Sequence, residues 1–347
     1  FVDSVYPLPT TLPILVTLLT RAPWLTAVVW AVSLLLFFIG CGLFPWRFQP
    51  ETTAHAAPSG PTQRATTQWL LLLLVLLVAG LWYSWRLTTV PPLIPEPVAQ
   101  LGLWAKDWLH NSNPYFFFTV PVELEPGFRI TGMAVAMPAL FFWLTHDLLL
   151  SVRLAGLWGA LLTISATWLL GTELFRRPAH GATATGEDQG QGPAFVAAIL
   201  VMTTMATILF SRLPVLLEMV GWGCLGCWAL LRGLRTGDRL AIGLSGILIS
   251  LSALLYTPGL VFLLTALCWW AGYRFLQSGW LPHRLQVELP AARFRGYFLL
   301  WVSGLWIMAA PTLGARWFGQ QQWLPWLQGN LLTNWQTTLL ALLQPGD

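Results

Sequence analysis

Charge is scarce in this sequence. Asp, Glu, Lys and Arg together make up 9% of the 347 residues, against about 25% in soluble domains. Lysine occurs once, at Lys106. The net charge of +4 comes from arginines scattered at the ends of apolar runs. That pattern excludes a basic nucleic-acid surface and suits topogenic arginines instead. Cysteine is limited to Cys41, Cys224, Cys227 and Cys268, all in apolar segments. Cys224 and Cys227 have CxxC spacing, but no second Cys or His pair lies nearby. Small-residue helix packing explains them better than a metal or redox centre. Neither the cysteines nor the histidines imply a metal or other cofactor.

Apolar side chains are abundant. Hydrophobic residues are 56% of the chain, tryptophan occurs 22 times and mean hydropathy is +0.65. Apolar runs at 23–44, 67–87, 150–172, 193–211, 215–232, 240–257, 258–275 and 296–314 each approach the ~20 residues needed to span a bilayer. The fold expected is an all-α polytopic membrane protein with about eight transmembrane helices. Arg47 and Arg64, Arg176 and Arg177, Arg232, Arg235 and Arg239, and Arg274, Arg284, Arg293 and Arg295 occupy four of the intervening loops. If the runs alternate, all four loops share one side, which the positive-inside rule makes cytoplasmic. The chain begins at Phe1, not Met, so either an N-terminal piece is missing or the sequence comes from an incomplete molecule; no cleavable signal pattern is recognised.

Residues 86–147 interrupt the apolar runs. This polar island carries Glu96, Asp107, Glu123, Glu125 and Asp147, five of the 14 acidic residues, and alternation puts it outside the cell. Within it, Val98, Leu101, Trp104, Ala105 and Trp108 recur at helical spacing. They predict an amphipathic helix lying on the outer surface with tryptophan anchors. Residues 130–145 are apolar but short, contain Pro138, and read as a helix that dips into the interface.

Glu96 stands in Pro95-Glu96-Pro97, where proline stiffens the backbone. A carboxylate there can act as a general base, or merely favour the N-terminus of the following helix. Glu123 and Glu125 would share one face of an extended segment, suited to a cation or a sugar hydroxyl, or to plain solvation. Arg212 and Glu218 fall at an outer turn and the start of the next helix. A charge at mid-bilayer costs about 2.5–3.5 kcal/mol, so Glu218 is expected away from lipid, in an ion pair or beside a lipid phosphate held by Arg212.

From Leu70 to about Leu263 the order of features resembles the membrane-embedded C-type glycosyltransferases. The nearest groups are the protein O-mannosyltransferases and the lipid A aminoarabinose transferases. The resemblance is carried by Trp85-Arg86-Leu87-Thr88-Thr89-Val90-Pro91-Pro92, by Glu125-Pro126, and by Val152-Arg153-Leu154-Ala155-Gly156-Leu157-Trp158-Gly159. Ser211-Arg212 and Tyr256-Thr257-Pro258-Gly259 extend it. It implies sugar transfer from a polyprenyl-phosphate carrier on the extracytoplasmic face, in a multi-pass protein of the bacterial cytoplasmic membrane. Glu96 would be the catalytic base, with Arg212 on the carrier phosphate, Glu125 on the sugar or acceptor, and Glu218 at the second acidic position. The family motif, typically His-Pro-Asp-Glu, is replaced here by Pro95-Glu96-Pro97. That erosion motivates the alternative, a catalytically silent subunit of a larger membrane complex. The implied partners are the polyprenyl-phosphate lipid, membrane lipids and, in the alternative, other membrane subunits.

The expected domains are 1–66, an extra helix and cytoplasmic loop; 67–314, the transferase-like region with its outer loop at 88–149; and 315–347, an outer tail.

Overall fold

The structure is a computed structural model. It describes residues 23–41, 63–85, 87, 96–111, 122–125, 128–130, 132–175, 191–204, 207–208, 211, 216–277 and 291–318. These are almost entirely helical. In chain order the helices are α1 (Pro23–Gly40), α2 (Gln63–Ser84), α3 (Glu96–Asn111), α4 (Ala136–Thr145), α5 (Leu148–Leu174), α6 (Gln191–Thr203), α7 (Leu216–Thr236), α8 (Arg239–Leu255), α9 (Leu260–Gln277) and α10 (Ala291–Phe318). The departure from the all-α expectation is a two-stranded antiparallel ribbon in the polar island, β1 (Val122–Glu125) with β2 (Phe128–Ile130). A 3-10 turn, Gly132–Val135, leads into α4.

The longer helices run between two ends of the molecule, and their termini sort cleanly. At one end, Glu173 of α5 pairs with Arg235 of α7 at 2.7 Å. There too the Tyr297 hydroxyl of α10 donates to the Gly237 carbonyl at 3.3 Å, and Gly243 of α8 packs on Phe37 and Cys41 at the end of α1. Gly171 meets Ala194 at the start of α6. At the other end, the Tyr83 hydroxyl of α2 donates to the Met202 carbonyl of α6 at 2.5 Å. Near it, the Ser252 hydroxyl of α8 donates to the Met219 carbonyl of α7 at 2.8 Å. The ends of α1, α5 and α7 and the starts of α6, α8 and α10, which flank the four arginine-bearing segments grouped in the sequence, therefore lie at the same end.

Packing relies on close backbone approach. A Cβ on Gly246 of α8 would overlap the Trp301 carbonyl of α10 and lie 2.9 Å from the Leu305 nitrogen. Small residues let two helices touch where no aqueous hydrophobic effect drives them together. Around this seam Leu230, Ile242, Ile249, Trp270 and Trp301 form one buried cluster. A second joins α2, α5 and α6 through Tyr83, Ile164, Trp168 and Ala198.

One helix among the described residues, Leu148–Leu174, is long and apolar enough to cross a membrane. At 27 residues it is about 40 Å long, against about 30 Å of hydrocarbon. The other apolar helical stretches described are shorter, so of the eight expected spans the described residues show one that is long and apolar enough. Even so, α2 turns Trp69, Leu70, Leu73, Leu74 and Leu81 away from the protein. A continuous exposed apolar face of this kind marks contact with lipid or with another protein.

Candidate functional site

The polar island folds as a cap. Helix α3 follows the predicted periodicity, with Leu101 and Ala105 buried and Lys106 and Asp107 exposed. Its buried side belongs to one cluster with Met133, Ala134 and Val135 of the 3-10 turn, Ala139 of α4, Met219 of α7 and Leu255 of α8. Trp104 and Trp108 pack against this same cluster. Their spacing predicts lipid anchors, but their face is turned onto the protein. Gly102 lets α3 settle on Leu148 and Val152 at the start of α5.

Helix α4 has 10 residues and is about 15 Å long, too short to cross a bilayer. Pro138 sits in its first turn, where a missing N–H breaks no helical bond. The chain then reverses through His146, at φ 55°. Asp147 caps α5, its carboxylate accepting from the Leu149 and Leu150 amides at 2.8 and 3.1 Å. One of the island's five carboxylates therefore has a purely local task.

The cap sits where it does because α7 and α8 end low on α5. Gly159 of α5 touches the first turn of α7: a Cβ there would lie 2.7 Å from the Glu218 nitrogen. Gly159 is eleven residues past Leu148, so α7 begins about 16 Å along α5. Cap residues occupy the space that α7 and α8 leave free.

Glu218 lies beneath this cap, 4% exposed. The Trp222 indole donates to its Oε1 at 3.3 Å, while its Oε2 has no hydrogen-bond partner among the described residues. Neighbouring hydroxyls are already engaged with backbone: Thr163 donates to the Leu217 carbonyl at 2.5 Å and Ser252 to that of Met219. An orphaned buried carboxylate oxygen is costly, and it can take a donor from a bound molecule. The sequence places Glu218 away from lipid, and its burial agrees. Arg212, the partner expected for it, lies outside the described residues; among those described, its side-chain partner is the Trp222 indole.

Arg153, which sequence reasoning did not single out as a site residue, is 2% exposed. Its guanidinium donates to the Leu87 carbonyl at the end of α2. It stands six residues outward of Gly159, about 9 Å along α5 from the level of Glu218. The available signal was its isolation as the single charge in the 148–172 run. Replacing Arg153 with methionine strips the Leu87 carbonyl of this donor and is expected to cost about 1–3 kcal/mol. A drop in the thermal midpoint of the purified protein, absent in a surface control such as Arg239→Gln, would register it.

The remaining predicted residues are located to different degrees. Glu96 is the first residue of α3, and nothing further is described of its side chain. Glu125 ends β1 opposite Phe128, and Glu123 pairs in register with Arg129. A bulge between Glu123 and Glu125 breaks the period-two alternation, which removes the basis for putting both on one face. Arg212 lies outside the described residues, as do the prolines at 91, 92 and 95. Among the described residues no group of three or more His, Cys, Asp or Glu could hold a metal ion. The cysteines are free thiols, and Gly223 and Gly226 beside them pack on Phe262 and Ile249. An open apolar groove of about 520 Å³, lined by Val78, Leu81, Trp82 and Trp85, runs along α2 and offers shape without polar chemistry. No family model matches the chain, and no curated protein or solved structure is significantly similar to it.

Proposed function

We propose that the chain is a multi-pass protein of the bacterial cytoplasmic membrane with C-type glycosyltransferase architecture. It moves a sugar from a polyprenyl-phosphate donor to an acceptor on the extracytoplasmic face. The observation that carries this reading is the sorting of helix ends. The described helix ends that flank the four grouped arginine segments lie at one end, the end the positive-inside rule would make cytoplasmic, and the cap built from α3, the 3-10 turn and α4 lies toward the other. A cap over a buried carboxylate and a buried guanidinium suits a site that must bind a polar headgroup out of water. In this proposal Glu96 is the general base, Arg212 meets the carrier phosphate, Glu125 holds the sugar or acceptor, and Glu218 completes the acceptor side.

One observation favours the second reading, a silent subunit of a larger complex. Glu96 heads a helix, where a carboxylate is stabilising without any chemistry.

The test is transfer by the purified chain in liposomes supplied with polyprenyl-phosphate mannose or aminoarabinose and a hydroxyl acceptor. Product above that of empty liposomes is expected. No product from any such donor, together with copurification at fixed stoichiometry with other membrane subunits, would decide for the subunit.

A further inference from the structure

The end of the bundle opposite the cap carries arginines that the proposed transfer does not use. Arg232 and Arg235 lie in the last turns of α7, Arg239 opens α8, and Arg295 lies in the second turn of α10. The α7–α8 turn is drawn to α10 by the Tyr297 hydroxyl on the Gly237 carbonyl, which gathers these helix ends. Among the described residues two carboxylates are nearby, and both are engaged. Glu173 is paired with Arg235 at 2.7 Å. Asp238 caps α8, its Oδ1 accepting from the Leu240 and Ala241 amides. Among the described residues no carboxylate is in ion-pair distance of Arg232, Arg239 or Arg295, and all three are exposed. Arg232 also lies over the Trp228 ring, 5.3 Å from its centre. The indole belongs at the headgroup level of a bilayer, with the guanidinium just beyond it.

We infer that this end is a docking surface for the phosphate headgroup of an anionic phospholipid, with Arg232, Arg239 and Arg295 supplying the charge and Trp228 the apolar edge. Guanidinium groups match phosphate oxygens in geometry and hold them through charge-assisted bonds. The assignment is independent of whether the chain transfers a sugar.

The full chain, purified in a neutral detergent, is titrated with phosphatidylglycerol or phosphatidylcholine, and bound lipid is counted by native mass spectrometry alongside the thermal midpoint. Phosphatidylglycerol is expected to bind more tightly and raise the midpoint. Each Arg→Gln change at 232, 239 or 295 should weaken it about fivefold. Equal binding of phosphatidylcholine, or undiminished binding in the triple variant, overturns the proposal. So does an equal rise in midpoint with inorganic phosphate alone, which would indicate a free-anion site. If the triple variant does not fold, the exposed single change Arg239→Gln and a salt titration decide. Preference for the anionic lipid must then fall as salt rises, because exposed charges are screened, and a salt-independent preference refutes the surface.

Discussion

Exchange of Gly246 for alanine will destabilise the bundle by about 3 kcal/mol or more, and exchange for leucine will prevent its assembly. The reason is the identity of the atoms a side chain would strike. They are the carbonyl of Trp301 and the amide nitrogen of Leu305, both main-chain atoms of α10 that no rotamer change can move. The two helices must separate, and the separation strips contacts from Trp301, which is fully buried between them. Gly304 faces the Gly243 carbonyl from the other side of the same seam, so leucine there should behave alike. Gly80 and Gly272 are helical glycines where an added methyl would meet nothing within 4 Å. Alanine at either should stabilise by about 0.4–1 kcal/mol. Thermal unfolding of the purified variants, with size-exclusion profiles as a check on assembly, measures both signs. A neutral Gly246→Ala would mean that α8 and α10 do not meet at this seam.

The second large effect is catalytic. Glu96→Gln should lower sugar transfer by about 10²–10⁴-fold, the range a positioned general base contributes, while helix content is unchanged. The amide keeps the size of the side chain and removes its capacity to take a proton. If Glu96 serves only the N-terminus of α3, the same change costs about 0.3–1 kcal/mol of stability and leaves transfer as it was. Glu96→Asp sharpens the distinction, since it keeps the charge and shortens the reach by one methylene. A base loses rate on such a misplacement, whereas a helix terminus accepts either acid. Transfer that survives Glu96→Gln intact would remove this residue from the reaction.

Helix α3 was legible because Leu101 and Ala105 repeat at helical spacing beside Lys106 and Asp107, and a period is a local property. The short α4 was legible for the same reason: its apolar run is too brief to cross and is bounded by His146 and Asp147. The level at which neighbouring helices end was not legible. Residues 215–232 look like any other spanning run, and contacts such as Gly159 against Glu218 and Thr163 on the Leu217 carbonyl show that α7 starts midway along α5. That offset decides what the cap covers. The burial of Arg153 depends on the end of α2, 66 positions away in the chain, which no local pattern reports. The tryptophans of α3 mislead because indole suits both a lipid interface and a protein core, and only the partner surface decides between them. At Glu123 and Glu125 a single extra residue in the ribbon cancels an argument built on strict alternation.

The low ends of α7 and α8 bear on how a molecule reaches Glu218. If α5 crosses the bilayer, its outer terminus lies near the headgroups, and the floor beneath the cap sits about 16 Å deeper along its axis. From the aqueous side the roof of α3 and α4 stands in the way. A compound tethered to an isoprenoid or acyl chain would already reside at that depth. For the proposed transfer, this stagger would favour a donor delivered from within the membrane over one dissolved outside it.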